Sequence, residues 1–388
     1  MTRYETNRKN FYEAASFVEP KKVPVGVNNF GWNFHYAGVC YKDIRKDPQK
    51  TARGYLKFYD EIEVDWAIMA MLPWCSDVWE ALGSKSYVFG EDGNCVNHAQ
   101  VNDVYFEDAS VYDAIVEDVE TFVNVTYPSL AFPALRQEKE QAYASYIKAL
   151  KAYRTYMEAS GIINQELIEK GVFNVMDDIL IDSNSSFLKI FDNYRGIVNS
   201  MKDLRRYTDK VYDAVSAISA YKDKKAEATP EMIEDHAIAY TIYHAEGGFL
   251  NPKQFDNLYF NRIEETLIPF IEKGLKLCIY GEGHYMNTLD RFRRLPKGSV
   301  VLHLDEDDPF EVHKRIGDWV TLSCGITTDM LATASVEECK DYVKRCFDTF
   351  APGGGFVFAP NKTLCSSKDA KIDNVVEVFK TANELSGQ

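Results

Sequence analysis

Cys278, Tyr280, Glu282 and His284 stand at alternate positions in the run KLCIYGEGH, residues 276–284. Thiolate, carboxylate and imidazole are the groups that bind transition metals, and the last two also serve as general acids or bases. A lone Glu-x-His does not make a metal site, because three or four ligands must converge. Partners for it would have to come from other strand ends. His303 and Asp305 close the apolar run SVVLHLD, Cys324 closes DWVTLSCG, and both runs are followed by helical patterns. Trp32 and His35 follow the first apolar run and Trp74 the second, where they would wall a substrate pocket. Asp177 and Asp178 after VFNVM, and His244 and Glu246 before a Gly-Gly pair, are further candidates for substrate contact or base chemistry. Each has a structural alternative. Cys278 would pack as a buried thiol, the tryptophans and Tyr280 would fill a rim, and the run DEDDP (305–309) would cap the next helix.

These residues need a scaffold that brings distant strand ends together. The C-terminal third reads LKLCIY, SVVLHLD, DWVTLSCG and GGFVFAP, four nearly continuous apolar runs separated by helical patterns. Strands buried on both faces and alternating with helices are the mark of parallel α/β architecture. Counting back to Val23 gives about eight strand–helix units, the number in a (β/α)8 barrel. A doubly wound sheet has the same alternation. Helices are expected over 47–62, over 148–171 with a break at Gly161, over 201–228, and over 251–274 behind an Asn-Pro start signal. Residues 236–243 suit a strand or a buried helix. The segment 81–109 reads as a hairpin with loops inside an insertion at about 75–165 of one domain spanning residues 1–388.

Bulk properties narrow the function. The formal net charge of −15 argues against a nucleic-acid binder, which would carry a basic stripe. Aromatic residues make up 13% of the chain, which serves core packing or a pocket for a flat ligand. Eight cysteines include no Cys-x-x-Cys pair, and the polar N-terminus lacks a secretion signal. Free thiols, a cytoplasmic location and no membrane insertion are the expectation.

Five segments together resemble the uroporphyrinogen decarboxylase superfamily, which includes corrinoid-linked methyltransferases. They are NRKNFYEAASFVEPKKVPVG, FGWNFHYAG, FDNYRGIVNSMKDLRRYTDKV, AEGGFLNPKQFDNLYFNRIEETLIPFIEKG, and the stretch from TLSCGITTDM through KIDNVVEVF. Their order and spacing cover the chain outside roughly 75–165. The resemblance implies a (β/α)8 TIM barrel with an N-terminal extension and an insertion after the second strand, its site at the C-terminal strand ends.

The site residues depart from both branches. Where the decarboxylases carry two carboxylate-binding arginines, this sequence has His35 and Val39. The methyltransferases hold zinc with a His-x-Cys pair and a distant Cys; here those positions read Cys278-x-Tyr280, with Asn361 and Lys362 in place of the third ligand. Either metal binding is lost, or Zn2+ has moved outward to Glu282 and His284, completed by Cys324 or Cys365. The expectation is a methyltransferase moving a methyl group between a small methylated substrate (an aromatic methyl ether, amine or thiol) and a corrinoid (cobalamin) on a small partner protein, with a homodimer also allowed. His303, Asp305, Tyr280 and His35 are its catalytic candidates; Trp32, Trp74, Asp178, His244, Asn361 and Lys362 are its substrate-binding candidates. The alternatives are a metal-independent decarboxylase or other lyase of an aromatic or tetrapyrrole acid, and a non-catalytic corrinoid-binding barrel.

Overall fold

The computed structural model describes residues 1–84, 87–90, 93, 96–98, 106–178, 185–244 and 249–387, with the backbone alone described at 96–98, 177–178 and 242–244. Eight parallel strands appear: β1 (Gly26–Val27), β2 (Trp66–Ala67), β3 (Phe173–Asn174), β4 (Ile238–His244), β5 (Lys276–Glu282), β6 (Val300–Leu304), β7 (Thr321–Ile326) and β8 (Phe356–Pro360). They pair as a three-stranded sheet β1-β2-β3 and a five-stranded sheet β8-β7-β6-β5-β4. Parallel bridges at Val25–Phe358 and Asn29–Leu364 link β1 to β8 and its following loop. Among the described residues no ladder joins β3 to β4, so the hydrogen bonding does not itself close a ring. The longer helices are α1 (Arg3–Ala15), α2 (Pro48–Glu61), α3 (Lys139–Lys170), α4 (Ile197–Arg206), α5 (Thr208–Lys225), α6 (Asn261–Glu272), α7 (Pro309–Ile316), α8 (Val336–Phe350) and α9 (Ile372–Ser386).

Two hydrophobic clusters divide the strands by face. Val25, Val27, Leu302, Leu304, Leu322 and Cys324 pack outward with the helices. Trp66, Phe173, Ile238, Cys278, Val301 and Val357 meet in an inner cluster fed by strands of both sheets. The alternation follows from the two-residue period of a strand. Gly26 is needed at its place, since a Cβ there would lie 2.1 Å from the Trp66 ring. Helix α1 begins in a Thr2–Glu5 capping box and inserts Phe11, Ala14 and Ala15 beneath the inner cluster. Tyr12 donates to the Gly274 carbonyl at 2.6 Å and Asn7 to that of Gly171 at 2.9 Å, tying α1 to the turns that precede β5 and β3. The N-terminal extension therefore covers the end opposite the candidate site.

Local departures from expectation have physical causes. Helix α3 runs unbroken through Gly161, where an added Cβ would meet nothing and the about 1 kcal/mol penalty of glycine is outweighed by thirty-two residues of continuous helix. The expected helix over 201–228 is two, α4 and α5, parted at Tyr207. β2 and β3 shrink to two residues each because the Asn174 side chain accepts the Ala70 N–H at 3.2 Å in place of a ladder bond. The 236–243 ambiguity resolves as strand β4. In the inserted region Tyr87–Phe89 pairs antiparallel with Val96–His98, the expected hairpin. No helix among the described residues is long and apolar enough to cross a membrane.

Candidate active site

Counting inward-facing positions in twos places Tyr280 and Glu282 on β5, His303 and Asp305 on and beyond β6, and Ser323 on β7. Tyr280, His303 and Ser323 occupy one level of the register. Tyr280 and His303 pack edge to face, ring centroids 4.8 Å apart. His303 Nε2 lies 2.9 Å from the Asn361 carbonyl, which can only accept, so Nε2 carries the proton. Nδ1 is left to accept from Ser323 Oγ at 2.9 Å. Burial pushes the His303 pKa down to about 4, which keeps the ring neutral. With both nitrogens engaged, His303 positions Asn361 rather than carrying protons itself.

Above it sits Asp305. Its Oδ2 accepts the Gly283 N–H at 2.8 Å, while buried Oδ1 has no hydrogen bond and faces Lys362 Nζ at 3.5 Å. Burial raises its pKa to about 6, against the lowering effect of the Gly283 hydrogen bond and Lys362. The result is a carboxyl that titrates near neutrality at a strand end, the property expected of a general acid or base. Asn361 fixes the surroundings: its Nδ2 donates to the Asp305 carbonyl at 2.6 Å and its Oδ1 accepts the Thr328 N–H at 2.8 Å.

The glycine-flanked loop after β5 wraps the acidic run after β6. Gly283 takes a φ of 92°, which only glycine adopts readily. That path turns the Gly283 N–H onto Asp305 and the Tyr285 N–H onto Asp307 Oδ2 at 2.5 Å. His284 reaches Glu306 at 3.1 Å and Asp307 at 3.2 Å. Lys362 bonds Glu306 at 2.9 Å and holds its carboxyl below the usual range. Of the acidic run, Asp308 caps α7, accepting the Phe310 and Glu311 N–H groups. All four acids border a cavity of about 490 Å³ with His284, Asn361 and Lys362. Tyr280 belongs to the same group: burial and the charges of Asp305 and Glu282 raise its pKa well above the usual phenol value.

Other expected site residues lie elsewhere. Trp32 is fully buried in the outer core, its Nε1 donating to the Ala370 carbonyl at 3.1 Å. His35 borders a separate cleft of about 520 Å³ with Ser367, Lys368, Lys371 and Asp373. Trp74 is exposed and packs at a tilt against Tyr87 of the inserted hairpin, ring centroids 5.2 Å apart. His244 pairs with Glu282 in the ladder and Asp178 ends a short turn, but their side chains, and all of Glu246, lie outside the described residues.

Among the described residues the expected zinc ligands do not converge. Cys278 is fully buried, and desolvation pushes its thiol up to about 12. Asn361 is fully used and Lys362 is a cation. The relocated set is not gathered either. Cys324 packs in the outer core and borders the 490 Å³ cavity together with His284, its pKa raised by burial and by Cys346, while Cys365 sits in the loop after β8 with its N–H on Asp369. Among the described residues no three His, Cys, Asp or Glu side chains converge to hold a metal ion.

Sequence reading missed Asn28, on the inward-facing side just past β1. It is fully buried, and neither amide atom has a hydrogen-bond partner. Asn29 Oδ1 is likewise unpaired. The only sequence signal was a polar Asn-Asn pair at a strand end. An unpaired buried amide costs about 1–3 kcal/mol. Asn28→Leu is therefore expected to raise the unfolding free energy by about 1 kcal/mol or more in denaturant titrations. A destabilised variant would show that the amide is satisfied in solution.

A family model for uroporphyrinogen decarboxylase matches residues 192–385. Among solved structures, a methyltransferase from Methanosarcina mazei aligns with a TM-score of 0.58 at 14% identity, covering 97% of this chain and 98% of that one. At that identity the likeness shows a shared fold. No curated protein matches the sequence.

Proposed function

We propose, for a chain that belongs to the uroporphyrinogen decarboxylase family, that it is a methyltransferase whose methyl donor is activated by Asp305 acting as a general acid. The family fold is a TIM barrel, and the eight strands are read here as one such barrel with its mouth at the Asp305 end. The single observation that carries the reading is a buried strand-end carboxyl with a pKa of about 6, its Oδ1 held only by the Lys362 ammonium at 3.5 Å, beside a 490 Å³ cavity. A methyltransferase of the same fold over nearly its whole length supports the reaction class.

In this reading a small methylated ether, amine or thiol binds above Tyr280. Its carbon–heteroatom bond breaks with the electron pair left on the heteroatom, which takes the Asp305 proton. A reduced corrinoid carried by a partner protein would supply the electron pair that accepts the methyl group. Lys362 and the Gly283 N–H then stabilise the Asp305 carboxylate.

The test is the absorbance change of cob(I)alamin on mixing with the protein and aromatic methyl ethers, methylated amines and methylated thiols. Formation of methylcobalamin with one of these classes supports the reading. No donor reacting, with carbon dioxide released from an aromatic acid instead, would assign the site to the lyase chemistry for which the family is named.

A further inference from the structure

The inserted helix α3 encloses a further cavity, of about 190 Å³, with the segments that follow β2 and β3. It is fastened there by Tyr156, whose hydroxyl donates to the Leu72 carbonyl at 3.2 Å and accepts from the Ser160 hydroxyl. Ile163, on the buried face of the helix, and Asn164 beside it form one wall. Ala70, Met71 and Leu72 form another, and Met176 borders the cavity at the end of β3. The strands run parallel, so the cavity lies at their C-terminal ends, as Asp305 does.

The lining sets the chemistry. None of the described residues that border the cavity carries a charge. An ion placed there would give up hydration with no counter-charge in return, so the lining favours an uncharged ligand. Two of its polar side chains are already engaged. Asn174 Oδ1 accepts the Ala70 and Met176 N–H groups at 3.2 and 3.4 Å, and Nδ2 donates to the Ala70 carbonyl at 3.3 Å. The Ser160 hydroxyl is held by Tyr156. The half-buried Asn164 amide has no hydrogen-bond partner among the described residues, which leaves it a donor and an acceptor for a ligand.

Size and softness narrow the class further. An apolar cavity of about 150 Å³ takes up benzene, so this one has room for a benzene-sized ring with a small substituent. Met71 and Met176 both border it and both are half-buried. A thioether adapts its shape to a ring and makes favourable contact with its edge. Few polar groups on a mostly apolar wall are the usual make-up of a small-molecule site.

We propose that this cavity binds an uncharged molecule with a single aromatic ring and one hydrogen-bonding substituent, the ring against Met71 and Met176 and the substituent on the Asn164 amide. The assignment stands apart from whatever reaction occurs at Asp305. The probes are phenol, toluene and benzoate, each titrated into the full-length chain carrying 13C-labelled methionine methyls. Phenol should bind saturably and move the Met71 and Met176 resonances, identified through Met71→Leu and Met176→Leu, more than those of the other methionines. Benzoate, charged at neutral pH, should bind about tenfold more weakly or worse. Asn164→Leu should weaken phenol about fivefold, the worth of one hydrogen bond, and leave toluene unaffected. Ala70→Leu fills the cavity and should abolish binding of both, with a thermal melt close to that of the wild type. If that variant does not fold, Asn164→Trp obstructs the same space from a half-buried helix position. Absence of saturable phenol binding, shifts confined to other methionines, or binding that survives the obstructing substitution overturns the proposal. Equal affinity for benzoate and phenol, or no effect of Asn164→Leu on phenol, overturns it as well.

Discussion

Asp305→Asn should lower kcat by about 10²- to 10⁴-fold, the range that a positioned general acid supplies, with a smaller change in KM. Asn keeps the shape and can still accept the Gly283 N–H, but it has no proton to give. The pH dependence is more specific than the loss. Because Asp305 titrates near 6 and only its protonated form donates, wild-type kcat should fall as pH rises through about 6. The variant's residual rate should lack that limb. Stability changes in a linked direction. The folded carboxyl holds its proton more tightly than the ordinary carboxylate value of 3.8, so the native state binds more protons between the two values. Stability is therefore complete below the lower value and declines as pH rises through the higher one. At mildly alkaline pH the variant should melt above the wild type, and the gap should close in acid. Retention of the falling limb in Asp305→Asn would place the acid elsewhere.

Asp203→Ala should cost about 3–5 kcal/mol of unfolding free energy, the price of leaving a buried partner charge alone. Arg195 and Asp203 side chains are 7% and 3% exposed, with Nε to Oδ2 at 2.6 Å. The guanidinium also donates to the Phe106 carbonyl at 2.9 Å, and Tyr112 donates its hydroxyl to Asp203 at 3.0 Å. The pair thus fastens the inserted segment to α4. Replacing both charges, Arg195→Met with Asp203→Leu, should recover most of the loss, because well-packed apolar residues avoid desolvation. Equilibrium denaturation of the three proteins checks this. A loss under about 1 kcal/mol for Asp203→Ala would mean that the pair is solvated.

The sequence alone determined the element order. Near-continuous apolar runs separated by helical patterns predicted the C-terminal strands, Asn251-Pro252 predicted a helix start that a capping box now explains, and five family-like segments pointed to the family whose model matches. It also singled out the loop around Glu282 and the acidic run after His303.

The facing of those side chains was decided only by the tertiary structure. Strands apolar on both sides carry no polar alternation from which to read which residues point inward. Cys324 therefore looked equivalent to His303 as a strand-end ligand, although it faces the helices while Ser323 beside it faces His303. Asp305 looked like one more capping acid in DEDDP. Its raised pKa comes from burial, and its cation comes from Lys362, 57 positions away. Asn28 became visible only when its amide was found buried and unpaired. Spacing fixes what is near along the chain, whereas desolvation and charge pairing depend on what folding brings near in space.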